Sequence, residues 1–281
     1  MTSNAGRAAI GAFAVLTDQD IAPQELAAAL EERGFESCFL GEHSHVPVRR
    51  EAEDPQLVMR SLDPFIALTA MAMATDRLRV GTGVALIPQR DPIHTAKEVA
   101  TLDLLSGGRV LLGVGAGWQR EEMRNHGTDP ETRYTLLRER VLAMKVIWTS
   151  EQAEFHGRLV DFDPIMQWPK PVQRPHPPVL IGGRGRIARR HLLEFGDGWM
   201  PTPGPMDELE ADVQQVREEA GARGRGRIPV TMMLPEPGAD QVARAVEAGA
   251  DRVLLMLPSA GRDEVLRFLD AHAPLTGGAP S

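Results

Sequence analysis

Eight short apolar runs alternating with eight helical segments predict an α/β protein, a (β/α)8 TIM barrel. The runs are almost continuously apolar, which is the mark of parallel strands covered on both faces. Their number matches an eight-unit barrel better than an open doubly wound sheet. The 281 residues show no internal repeat and no linker, so a single domain over 1–275 is expected, with a frayed tail at 276–281.

The units follow in order. Ala8–Leu16 reads as a buried strand, and Pro23–Gly34 as a helix with Pro at its start and Gly at its end. Ser37–Gly41 is a second strand. Asp63–Asp76 is a helix whose first residues, Asp63 and Pro64, are an N-cap and an N1 proline. Leu78–Ile87 and Ile93–Ser106 form a strand and helix closed by Gly107-Gly108, and Arg109–Gly115 is the fourth strand. Glu131–Thr149 carries apolar residues at helical spacing. The alternation then pauses after this fourth unit: 150–178 holds six prolines and no helical period, an irregular proline-rich insertion. It resumes with strands at Pro178–Ile181, Gly198–Met200, Ile228–Leu234 and Asp251–Leu257, and with helices at Ile187–Phe195, Asp207–Ala220, Ala239–Ala248 and Arg262–Ala271.

Composition removes whole classes of function. A net charge of −8 with a single Tyr offers neither the basic footprint of a duplex binder nor a stacking platform for single strands. No apolar run reaches the ~18–20 residues of a membrane helix, and the first residues lack the layout of a signal peptide, so a cytoplasmic protein is expected. The one cysteine, Cys38, excludes an internal disulfide and a Cys-cluster metal site.

In a barrel, chemistry sits on the loops after the strands. Glu42-His43-Ser44-His45 follows the second strand and puts a carboxylate and two imidazoles together. His43 suits proton donation near neutral pH; a metal site from Glu42, His43 and His45 has no supporting motif, and a solvated polar loop is the plain alternative. Gly182-Gly183-Arg184-Gly185 lies between a strand and a helix start, where amides and the helix dipole favour a phosphate; a tight turn also explains those glycines. Gly113, Gly115 and Gly117, with Ala116 between the last two, would let a flat group lie on the backbone, or simply allow close strand packing, and Trp118 would wall a ring or fill the rim. Gly81-Thr82-Gly83-Val84 reads as a bulge. Arg184, Arg186, Arg189 and Arg190 cluster at the presumed phosphate loop, with at least one of the last two on a solvated helix face. His94, His126, His156 and His191 are expected to be solvated or capping, and Cys38 a buried filler.

The segments FLGEHSHVPV, LRVGTGVALIPQRDPIHTAKEVATLDLLSGGRVLLGVGAGWQREEM, KVIWTSE, FHGRLVDFDPIMQWPKPVQRPHPPVLIGGRG and FGDGWMP together resemble the luciferase-like monooxygenase superfamily. They are most similar to its actinobacterial branch of oxidoreductases that use the deazaflavin coenzyme F420. The resemblance implies a barrel with its insertion after the fourth unit, and a non-prolyl cis peptide at Gly83-Val84 against which the cofactor ring leans. It places the cofactor phosphate at Gly182–Gly185 and an acid–histidine pair near the reactive ring, matching Glu42 and His43. Cofactor contacts are therefore expected from Gly83, Val84, Gly115, Ala116, Gly117, Trp118, Gly182, Gly183, Arg184 and Gly185. One departure stands out: a sugar-phosphate dehydrogenase branch has a catalytic Glu where this chain has Trp118. The expectation is a homodimeric oxidoreductase that moves a hydride between coenzyme F420 and a small organic substrate, without a metal, nucleic-acid or membrane partner. The alternatives are an FMN-dependent monooxygenase and a catalytically silent ligand-binding barrel.

Overall fold

The computed structural model describes residues 8–48 and 59–277. Positions 278–281 of the expected tail, like residues 1–7, lie outside the described residues.

The chain runs β1 (Ala9–Ala14), α1 (Pro23–Glu32), β2 (Ser37–Leu40), α2 (Pro64–Met73), β3 (Arg79–Leu86), α3 (Pro92–Leu105) and β4 (Val110–Gly115). A short α4 (Arg120–Asn125) precedes the long α5 (Arg133–Thr149), and the strands β5 (Ala153–His156) and β6 (Asp161–Ile165) follow. The barrel then continues with β7 (Val179–Gly182), α6 (Arg186–Phe195), β8 (Gly198–Met200), α7 (Met206–Ala222), β9 (Thr231–Leu234), α8 (Ala239–Glu247), β10 (Arg252–Met256) and α9 (Arg262–His272). The main sheet has the order β8-β7-β4-β3-β2-β1-β10-β9, with every neighbouring pair parallel. A parallel bridge from Trp199 to Val230 joins β8 to β9 and brings the ends of the sheet together. This is the eight-stranded barrel that the apolar runs predict.

Local chemistry explains the helix starts. Asp63 and Asp91 accept hydrogen bonds from the amides of Ile66 and His94, at 3.0 and 2.8 Å, and each is followed by a proline at the first helical position. Alternation within each strand separates two cores. Ala12, Cys38, Leu40, Val80, Leu112, Val114, Ile181, Val253 and Leu255 face the helices, whereas Phe13, Phe39, Leu111, Leu180, Met200 and Leu254 fill the barrel.

The insertion corrects one expectation. Instead of being irregular throughout, it contains an antiparallel hairpin of β5 and β6, with Phe155 opposite Phe162 and their rings 6.4 Å apart. Glu139 of α5 holds the turn by accepting the amides of Arg158, Leu159 and Val160 at 3.1, 2.7 and 3.0 Å. Asp103 at the end of α3 accepts the Gln173 amide and side chain, at 2.9 and 2.7 Å, and fixes the return into β7. At the C-terminal end, Thr276 closes a 3-10 turn and donates to the Arg33 carbonyl at 3.0 Å. Among the described residues no helix is long and apolar enough to cross a membrane.

Candidate active site

The C-terminal mouth of the barrel has an apolar floor. Above the buried interior layer lie the partly buried side chains of Val15, Val84, Met233 and Met256. Val84 owes its place to an irregularity in β3: the register with β4 shifts between Thr82 and Ala85, and the Gly83-Val84 peptide is cis. Its side chain reaches across to β4 and β7. A Cβ at Gly115 would sit 2.4 Å from Val84 Cγ2, and one at Gly182 would sit 2.7 Å from Val84 Cγ1. Real Cβ atoms do not approach so closely, so these glycines make room for Val84, whose partly buried side chain presents an apolar surface at the mouth. The flat group expected to lie on Gly115 itself is thus replaced there by Val84. Ala116 packs against the outer core, and Gly117, at φ +74°, turns the chain toward α4.

The loop after β7 forms the polar end of the site. Gly183 and Gly185 take φ values of +103° and +89°, conformations that suit glycine. Gly185 is also the N-cap of α6 and offers no side chain to its first amides. Amides at an uncapped helix N-terminus, at the positive end of the helix dipole, are in general a favourable setting for an anion. The loop is held from behind: the Gly183 amide donates to the Met200 carbonyl at 3.0 Å, and Trp199 Nε1–H donates to the Gly183 carbonyl at 2.8 Å.

Arg184 differs from the expected anion ligand. Its guanidinium is engaged by Asp212 at 2.8 Å and Glu208 at 3.0 Å, both on α7, and these pairs raise its pKa. Two carboxylates neutralise it, so it ties the loop to α7. Arg189 is likewise paired with Glu219 at 3.1 Å. Arg186 and Arg190 are exposed.

At the end of β2, Glu42 and His43 separate in role. The Glu42 carboxylate accepts the Leu86 amide at 2.5 Å and Arg90 Nε at 2.6 Å. It clips the end of β2 to the far side of the β3 bulge, with both oxygens occupied. His43 Nδ1 lies 2.9 Å from Glu122 Oε2, and its ring meets Trp118 edge-on at 5.9 Å. Glu122 is buried. Burial alone would raise its pKa, but hydrogen bonds from His43 and the Ser44 amide outweigh burial and lower it. A carboxylate at neutral pH can only accept, so His43 carries its proton on Nδ1 and presents Nε2 away from Glu122.

Glu122 was not visible in the sequence. It sits in a six-residue helix beside Glu121, where an acidic pair looks like a solvated face, and its partner is 79 positions away. The polar contacts continue outward. Glu122 Oε1 accepts the Ser44 amide at 2.9 Å, and Ser44 Oγ lies 2.8 Å from His45 Nδ1 and 2.7 Å from His126 Nε2. Glu42 is engaged by Leu86 and Arg90, whereas His43 and His45 join one network through Glu122 and Ser44. Among the described residues there is no cluster of three or more groups able to hold a metal.

Two further histidines behave differently from each other. His94 is exposed, as expected. His191 is 1% exposed rather than solvated, with its ring 5.2 Å from Phe195 and, among the described residues, no hydrogen-bond partner for either nitrogen. Burial, aided by Arg190, lowers its pKa to about 4. Cys38 is the buried filler expected, its thiol pushed up to about 12 by burial.

The sequence profile of the luciferase-like monooxygenase family matches residues 19–256. An uncharacterized protein of Mycobacterium tuberculosis is 40% identical over 249 residues, covering 85% of this chain and 88% of its own. An FMNH2-dependent dimethylsulfone monooxygenase of Pseudomonas putida is 33% identical over 64% of this chain and 50% of its own. An F420-dependent glucose-6-phosphate dehydrogenase of Amycolatopsis mediterranei is 31% identical over 70% of this chain and 58% of its own. The crystal structure of a long-chain alkane monooxygenase superposes with a TM-score of 0.81 at 16% identity, covering 98% of this chain and 91% of that one.

Proposed function

From the premise that the chain belongs to the luciferase-like monooxygenase family, and is therefore an enzyme, we propose that it is a deazaflavin-dependent oxidoreductase acting on a small organic molecule. The observation that carries this reading is the pairing of Val84, framed by Gly115 and Gly182, with the uncapped N-terminus of α6. An apolar plate next to an anion cradle fits a cofactor made of a tricyclic ring and a phosphate. Relatives that use F420 and FMN bracket the choice between the two cofactors.

In this reading Val84 supports the ring, with Gly83 beneath it. The amides after Gly183 and Gly185 hold the phosphate, and the exposed Arg186 and Arg190 meet further negative charge. The bound deazaflavin supplies or accepts a hydride at C5. The chain orients the ring and handles the accompanying proton. His43 holds that proton at Nε2, and anionic Glu122 fixes the imidazole and stabilises it when doubly protonated. Glu42 is a positioning residue, because its oxygens are spent on Leu86 and Arg90. Trp118, 60% exposed beside His43, walls the reacting side.

Equilibrium binding of the apo-protein to F420 and to FMN, side by side, tests the assignment. Binding of F420 at least tenfold tighter is expected. Tighter FMN binding would assign the protein to the flavin monooxygenases, and failure to bind either would leave a silent barrel.

A further inference from the structure

A cavity of about 420 Å³ opens at the mouth on the side away from α6, between the ends of β1 and β10 and the helices α1 and α9. Its volume falls within the ~300–1,000 Å³ of small-molecule pockets. Phe13, Val15 and Met256 line its inner side, and Leu26, Val265 and Phe268 close its outer side. Phe13 connects it to the ring site, since a Cβ added at Gly83 would lie 3.0 Å from Phe13 Cε2. The cavity therefore begins one side chain away from Val84 and its neighbouring peptide.

The wall chemistry restricts the occupant. Three prolines, Pro235, Pro237 and Pro258, contribute backbone with no N–H to donate. Among the described lining residues Asp20 is the single ionisable side chain, and one of its oxygens already accepts the Thr17 amide at 2.7 Å. The Leu257 amide is spent on the Phe13 carbonyl at 2.9 Å. Ser259, exposed at the rim, adds one hydroxyl. Among the described lining residues, an anion here would face Asp20 with no cation to meet it. A cation would find one half-occupied carboxylate among hydrocarbon walls, poor compensation for lost water. We infer that this cavity takes the uncharged, largely hydrocarbon part of the substrate, with at most a carbonyl or hydroxyl directed to the rim near Ser259 and the ring site. The inference rests on the proposed oxidoreductase reading for the occupant's role as substrate, but its chemistry is read from the cavity alone.

The test uses apo-protein with 13C-labelled methionine methyls and three probes of similar shape: cyclohexanone, cyclohexanecarboxylate and cyclohexylammonium. The Met256 methyl, assigned through Met256→Leu, reports the cavity. The exposed Met59, Met73 and Met166 methyls are internal controls. Cyclohexanone should shift Met256 saturably, at least tenfold more tightly than either ion, with the controls unmoved. Ser259→Trp at the exposed rim and Val265→Phe in the outer wall should each weaken that binding at least tenfold. Equal binding of an ionic probe, or cyclohexanone binding that survives Ser259→Trp in a folded protein, would overturn the inference. Cofactor titrations on the same samples separate the two claims. Loss of F420 binding with cyclohexanone binding intact sinks the cofactor reading, and the reverse sinks the cavity assignment.

Discussion

Glu122 shows how one buried group can set the behaviour of another. Its carboxyl is held below the ordinary value, so the stability it contributes is fully present above that value and is lost as pH falls through the lowered one. Glu122→Gln should cost about 1–3 kcal/mol near neutral pH, as expected for a charged hydrogen bond in a buried site. That cost should shrink toward zero in acid, where the wild-type carboxyl is also neutral. Denaturant melts from pH 3 to 7 measure it, and a cost independent of pH would contradict the assignment. His191 has the opposite consequence. Its folded value of about 4 lies below the ordinary 6.5, so the unfolded chain binds the extra proton first and stability falls as pH drops between the two. The loss approaches ~3 kcal/mol by pH 4. His191→Leu should remove it, making the variant relatively more stable at pH 5 than at pH 8; an unchanged pH dependence would show that the imidazole ionises freely in the fold.

At the scale of elements, the hairpin is fastened to the barrel by Glu139. Gly157 lies so close that a Cβ there would sit 2.5 Å from Glu139 Oε2, and three successive amides converge on the same carboxylate. Glu139→Ala should strip exchange protection from the amides of residues 158–160 while leaving Leu112 and Val114 of β4 protected. Hydrogen exchange read residue by residue checks this; unaltered protection at 158–160 would mean that the turn holds itself. The hairpin escaped the sequence reading because six prolines conceal it, although Pro164 lies in a two-stranded ribbon, where an edge position tolerates a missing N–H. α4 escaped because six residues carry no measurable period. By contrast, the eight barrel strands were legible from their continuous apolar runs, as was the helix start marked by Asp-Pro at 63–64.

Across the whole molecule, the mouth of the barrel divides into two halves. Gly83, Gly115 and Gly182 surround Val84 on one side, and Phe13, Val15 and Met256 border the apolar cavity on the other. The glycine motifs and the histidine loop lie at or just after the C-terminal ends of strands, where local spacing placed them, because such spacing encodes turns and strand ends. Spacing could not reveal partners brought together by closure of the barrel. Glu42 meets Leu86 across 44 positions, His43 meets Glu122 across 79, and Arg184 meets Asp212 across 28. The Glu42 and Arg184 pairs engage groups that the local motif left open, whereas the Glu122 pair orients His43. A crystal structure of the complex with F420 tests this division of the mouth into two halves. The ring is expected against Val84, the phosphate on the amides following Gly183 and Gly185, His43 Nε2 facing the reacting edge, and the cavity beyond Phe13 open. A ring seated in the methionine half, or a phosphate held by another loop, would contradict it.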